Sequence, residues 1–148
     1  MNKLSILAIF VFSFLTQTAF SQQDDDWIVY DDAVLIDSSN ASSIEDFENT
    51  PESIVTYFYA SKIKNDDDWN NVLPEEGDRS KRLNRKLKEY ENWTFTKFKL
   101  VSKMESGENQ LWIKIFMEIV YKVGVDSGTD EVTVELIDGK WVITSVPT

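Results

Sequence analysis

The chain reads as an α+β domain, with helices first and a curved four-stranded antiparallel sheet after them. Three features predict this. Apolar residues recur at helical spacing after Thr50-Pro51 (Ile54, Val55, Phe58, Tyr59, Ile63) and again at Leu83, Leu87 and Tyr90. From Trp93 onward the spacing drops to two, most clearly over residues 111–123. Asp138-Gly139 then offers a two-residue hairpin turn, because both residue types tolerate positive φ. Helices segregated from an antiparallel meander pack together on one of its faces.

Each element follows in chain order. Residues 1–21 begin with a single charge at Lys3, continue with an apolar run from Leu4 to Phe14, and end in Ala19-Phe20-Ser21. That is the small-x-small pattern of a secretory signal peptide, with an expected cut between Ser21 and Gln22. The mature chain is therefore expected to be secreted or periplasmic. No later apolar run approaches the ~20 residues a membrane span requires.

Residues 22–49 form an acidic arm. From residue 22 to residue 52 there are ten acids and no Lys or Arg. The expectation is a leader that ends in a solvated linker, with one alternative: the aromatic stretch at residues 27–36 docks as an edge strand or covers a groove.

The domain proper is expected over residues 50–148. Thr50 is suited to cap the first helix, Pro51 to its first position and Glu52 to the positive end of its dipole. Asn65 and Asp66–Asp68 end that helix. Asp67 or Asp68 is expected to cap a short second helix through Trp69, Val72 and Leu73, which Pro74 stops. A third helix is expected over residues 79–90, with Leu83, Leu87 and Tyr90 as one narrow apolar stripe. Trp93 and Phe95 alternate on one parity, Phe98 and Leu100 on the other, which predicts a bulge near Thr96-Lys97. Ser127-Gly128 is expected to turn residues 111–123 into residues 131–137. Residues 140–146 return after Asp138-Gly139.

Composition narrows the chemistry. There is no Cys and no His, which excludes disulfides, thiolate nucleophiles, imidazole acid–base catalysis and sulfur- or imidazole-ligated metal. No cofactor motif is present. The formal charge of −11 argues against nucleic acid and anionic membrane surfaces as partners. Asn65–Asp68 departs from a calcium loop, since Trp69 stands in the fifth place and Asn70 where the sharp-turn Gly belongs. These acids are expected to cap and solvate, and no metal site is expected.

Pro51-Glu52-Ser53-Ile54-Val55-Thr56-Tyr57-Phe58-Tyr59-Ala60 resembles the first helix of the nuclear transport factor 2-like superfamily, whose cone-shaped fold ketosteroid isomerases also use. Val132-Thr133-Val134-Glu135-Leu136-Ile137-Asp138-Gly139-Lys140-Trp141-Val142-Ile143 resembles its last hairpin. The resemblance covers roughly residues 50–146 and is closest in style to small secreted bacterial members. It implies a cone that often holds a pocket. In the isomerase branch a Tyr of the first helix and acids inside the cone carry the chemistry. Tyr57 or Tyr59 matches the Tyr by position, with Glu118 and Glu135 as possible acids.

The candidate pocket residues are Tyr57, Tyr59, Trp93, Trp112 and Trp141, whose rings supply apolar surface and whose O–H and N–H groups supply polar handles. The candidate anion- or partner-binding residues are Arg82, Arg85 and Lys86, within a helix where six of the ten residues from 79 to 88 are basic. The acidic arm is expected to fold over and mask that helix. No catalytic residue is assigned. The expected function is non-catalytic binding of a small apolar ligand or a protein partner. One alternative is an isomerase- or hydrolase-like enzyme using Tyr and a carboxylate. Another is an interaction or inhibitor protein acting through the half-covered sheet face of Trp112, Phe116 and Val120, as a homodimer or in a stoichiometric complex.

Overall fold

A computed structural model describes residues 26–148. The expected signal sequence and its cut before Gln22 lie outside the described residues. The elements run in the order β1 (Ile28–Val29), β2 (Ile36–Asp37), α1 (Pro51–Lys64), α2 (Lys81–Tyr90), β3 (Thr94–Gly107), β4 (Gln110–Tyr121), β5 (Gly124–Ile137) and β6 (Lys140–Ser145). Short 3-10 turns at Ala41–Ser43, Asp68–Val72 and Glu76–Asp78 connect them.

The architecture is α+β, with an open antiparallel sheet of six strands rather than four, in the order β1-β3-β4-β5-β6 and with β2 also on β3. The two additional strands come from the arm. Ile28 faces Lys103 and Ile36 faces Phe98, so β1 and β2 both cover the outer edge of β3. At two residues each they are too short for alternation to register in the sequence.

The arm is therefore not a solvated linker. Ile36 and Ala41 are buried in the core, and the Phe47 ring lies 4.8 Å from that of Tyr57. Tyr30 donates to Glu52 at 3.0 Å, and Lys64 donates to the Ile44 carbonyl at 2.9 Å. Asn49 bridges the Gly139 carbonyl and the Trp141 N–H, both at 2.9 Å, and so ties the arm to the last hairpin.

Helix α1 starts and stops for the local reasons its sequence supplies. Thr50 Oγ1 accepts from Ser53 N at 3.2 Å, Pro51 takes the first position, and Asn65 closes the helix in the left-handed region at φ 59°. Ser61, fully buried, accepts from Trp69 N at 2.9 Å and bonds the Asp66 carboxylate. Asp66 in turn accepts from Asp68 N at 3.1 Å. Asp67 takes the N-cap position of the 3-10 turn Asp68–Val72, as expected, but its side chain makes no cap bond; the Asp66 carboxylate accepts from the turn's first N–H instead.

Helix α2 is shorter than expected. Ser80 is its N-cap, accepting from Leu83 N at 3.0 Å, and Arg79 stands outside it. Arg79 instead donates to the Pro74 carbonyl at 2.8 Å and to Asn70 at 3.3 Å, which closes the preceding loop. Leu83, Leu87 and Tyr90 face the core as their spacing predicts.

The register shift between Phe95 and Lys97 is the expected bulge. The Asp138-Gly139 turn forms with φ of 51° and 79°, as two-residue hairpins need. The β4–β5 turn is elsewhere than expected. It falls at Lys122-Val123, between the paired Tyr121 and Gly124, and Gly124 absorbs it with φ 150°. Ser127 and Gly128 therefore lie inside a strand of 14 residues. β6 pairs only with Thr133–Ile137 of that strand, ending at Ser145 two residues before Pro147, which has no N–H to pair.

Candidate functional site

Ile113, Ile115 and Ile119 of β4 point to the helices, and Trp112, Phe116 and Val120 point to the opposite face. On the helix side an aromatic cluster fills the sheet. Tyr59 stacks on Phe98 with centroids 4.9 Å apart and planes 7° from parallel. Tyr90 meets Phe95 at 4.9 Å and Trp93 at 5.0 Å. The Tyr59 and Tyr90 hydroxyls share a hydrogen bond of 3.0 Å. Burial pushes both phenols up from their ordinary value, and the charge of Asp130 adds to this; their mutual bond raises Tyr90 further and partly offsets the rise of Tyr59.

Trp93 is the half-buried outer member of this cluster and forms one wall of a cleft of about 410 Å³. Met117 and Ile119 make its apolar floor, and Asp126, Gly128 and Asp130 stand opposite them on β5. Met117 pairs with Gly128 and Ile119 with Asp126. The strand period carries both carboxylates to this face, and Asp130 keeps its Oδ1 on its neighbour's Glu131 N–H at 2.7 Å.

The five candidate pocket residues do not meet in one pocket. Trp93 lines the cleft just described. Trp141 lines a wider groove of about 1130 Å³ with Phe47, Leu83 and polar loop residues such as Asn70, Glu75 and Asp78. Thr144 also lines that groove, and its Oγ1 is the one buried side-chain oxygen without a hydrogen-bond partner among the described residues. Trp112 is 37% exposed on the sheet face away from the helices. Tyr57 and Tyr59 are 5% and 0% exposed and belong to the core. Neighbours on a helix at i and i+2 point apart, so both are buried here only because the arm, through Phe47, covers the side that Tyr57 faces.

Neither phenol is hydrogen-bonded to a carboxylate. Glu118 accepts from Thr96 Oγ1 at 2.9 Å and from Lys97 at 3.3 Å on the sheet face away from the helices. Glu135 lines the Trp141 groove.

The three basic candidates divide. Arg82 and Arg85 are exposed. Lys86 is 7% exposed and donates to the Val146 carbonyl at 2.6 Å, pinning α2 to the segment after β6. Burial lowers its ammonium from the ordinary value, and Arg82 and Arg85 add to that while Asp130 and Glu89 oppose it. Lys86 is thus a structural residue rather than a free binding one. Among the described residues, no ion pair joins the acidic arm to this helix, so the expected masking is not seen; the arm's acid-rich chain lies along β3 and α1 instead.

Lys62 occupies an aromatic setting that sequence reading did not single out. Its Nζ lies 3.8 Å from the Trp69 ring centroid and 5.8 Å from those of Phe58 and Tyr90. Burial pushes it down to about 8, against the pull of Glu91 and Asp67. Asp126 and Asp130 were also missed. The signal was their shared parity with Gly128, which a turn placed at Ser127-Gly128 conceals. No described helix is long and apolar enough to cross a membrane, and no three described acids converge to hold a metal ion.

No family model, no curated protein and no solved structure matches the chain.

Proposed function

We propose that this chain is an exported, non-catalytic binding domain that takes the apolar part of a small molecule or of a protein partner in the cleft beside Trp93. The finer fold proposed with it is the nuclear transport factor 2-like cone. The observation that carries the reading is the cleft itself: a half-buried aromatic wall at Trp93 and an apolar floor of Met117 and Ile119, with the carboxylates of Asp126 and Asp130 along β5. Such a mix of apolar surface and a few polar groups suits ligand binding. Burial of Tyr59 and Tyr90, with their hydroxyls bonded to each other, supports binding over catalysis by the Tyr of the first helix, since neither phenol lines the cleft to exchange a proton.

The test is a native mass spectrum of the mature chain purified gently from its own source, with uptake of a fluorescent apolar dye measured beside it. Extra mass lost on denaturation, or dye bound by the parent chain and lost in W93A, is the expected result. A clean mass together with no dye uptake overturns the reading.

A second reading, pairing of two copies through the sheet face away from the helices, is favoured by the exposure of Trp112 and Val120 there. Sedimentation of the parent and of W112E checks it; a monomer in both removes it.

A further inference from the structure

Beyond the cleft, β5 carries an open edge. β6 covers it only from Thr133 onward, so the side of β5 that faces away from β4 has no strand partner from Gly124 to Val132; the tail after β6 ends beside it, where Thr148 lines the cleft. The direction of its backbone groups is fixed by one bond. Glu131 N donates to the side chain of Asp130, not to β4. Pairing with β4 runs from Gly124 to Glu135 without a register shift, so the alternation is unbroken. In an antiparallel ladder every second residue points its N–H and C=O the same way. Val125, Ser127 and Thr129 therefore present their backbone groups to this edge together with Glu131.

The side chains beside that edge define what fits it. On the cleft face they are Asp126, Gly128 and Asp130 in succession. The two carboxylates stand about 13 Å apart at ~3.3 Å per residue. Between them Gly128 leaves a gap over Met117, next to Trp93. A self-complementary pairing of two β5 strands about Gly128 would set Asp126 against Asp130 twice and leave the gap empty, and like charges directly opposite are unfavourable. Inward-pointing charges of this kind guard an edge against its own copies.

We propose that this edge takes an added antiparallel strand from a cationic polypeptide, with Lys or Arg at two positions four apart and a large apolar or aromatic residue midway. The cations meet Asp126 and Asp130. The central side chain covers Gly128 and enters the cleft against Trp93 and Met117. Main-chain bonds to Val125, Ser127 and Thr129 supply the sequence-independent part, as in other strand-addition complexes. The proposal rests on the cleft being the binding site and adds the chemistry of its partner.

The probe is the capped peptide Thr-Lys-Thr-Phe-Thr-Lys-Thr, titrated into the full chain by calorimetry. Binding is expected, weakened at least about tenfold in D126N/D130N. N-methylation of the central Thr amides, which face β5 in this register, is expected to abolish binding. N-methylation of the Lys and Phe amides, which face away, is expected to preserve it. Because those comparisons use the unaltered protein, they do not depend on any variant folding. T129P, which loses only an edge N–H, is expected to bind no peptide while unfolding as the parent does. Absence of binding at millimolar peptide overturns the proposal. Equal binding of both methylated peptides also overturns it, since that is non-specific charge attraction. Dimerisation of the parent chain abolished by T129P overturns it in favour of a second copy. Dye uptake that persists while the peptide fails to bind leaves the cleft reading standing and removes only this one.

Discussion

Replacing Tyr59 with Phe removes one oxygen atom from the centre of the molecule. The ring remains stacked on Phe98, so no apolar contact is lost. The partner hydroxyl, Tyr90, is only 1% exposed and has no other hydrogen bond, so in Y59F it is a polar group buried without a partner. That costs about 1–3 kcal/mol. Y90F costs a similar amount by the same argument, with Tyr59 left unpaired at 0% exposure. Y59F/Y90F removes both groups and leaves two rings of unchanged shape, so it is expected to cost less than the sum of the singles by at least about 1 kcal/mol. Urea unfolding followed by Trp fluorescence gives the three values, read as midpoint shifts at constant slope. Strict additivity, or single variants within about 0.5 kcal/mol of the parent, refutes the reasoning, because either result means the hydroxyls already reach water. Unchanged ligand uptake in Y59F is expected alongside.

Three further outcomes are expected. Glu52 is held below its ordinary 4.5: partial burial opposes ionisation, but hydrogen bonds from Lys103 and Tyr30 outweigh it. A carboxylate lowered in the fold adds stability above its ordinary pKa and loses it as pH falls through the folded value; the parent should therefore weaken on acidification below about pH 4.5, whereas E52Q starts about 1–2 kcal/mol lower at neutral pH and loses less on acidification. Hydrogen exchange at Ile28–Val29 should also speed up in E52Q, because Tyr30 loses its anchor on α1. R82E/R85E should leave thermal stability within about 0.5 kcal/mol, while K86E should cost about 3 kcal/mol or more by placing a buried carboxylate against the Val146 carbonyl. T144V removes a buried hydroxyl that has no partner, so stability should be unchanged or up to about 1 kcal/mol higher; a loss would mean the hydroxyl is bonded in solution.

Much of the candidate site follows from strand parity. Met117 and Ile119 share the core-facing parity of β4 with Ile113 and Ile115, and that parity is written in the sequence. Asp126 and Asp130 are invisible until the β4–β5 turn is placed. Ser127-Gly128 carries the stronger turn composition, yet the chain turns at Lys122-Val123, because Gly124 takes a backbone conformation other residues avoid and the hairpin then stays in register for its whole length. That five-residue displacement turns an apparent loop into the open edge of a strand.

By itself the sequence determined the features that depend on near neighbours: the Thr50-Pro51 start of α1, its stop at Asn65, the bulge after Phe95, the Asp138-Gly139 turn and the buried face of β4. Each rests on interactions among residues a few positions apart, so composition and period are enough to read it. Only the tertiary structure decided that the acidic arm supplies β1 and β2, that Lys86 is buried under a basic surface, and that Trp93, Trp112 and Trp141 occupy three separate places. These depend on which edge a strand meets and which distant carbonyl a side chain reaches. A period of 3.6 or 2 says which residues share a face, and the partner that covers that face comes from elsewhere in the chain.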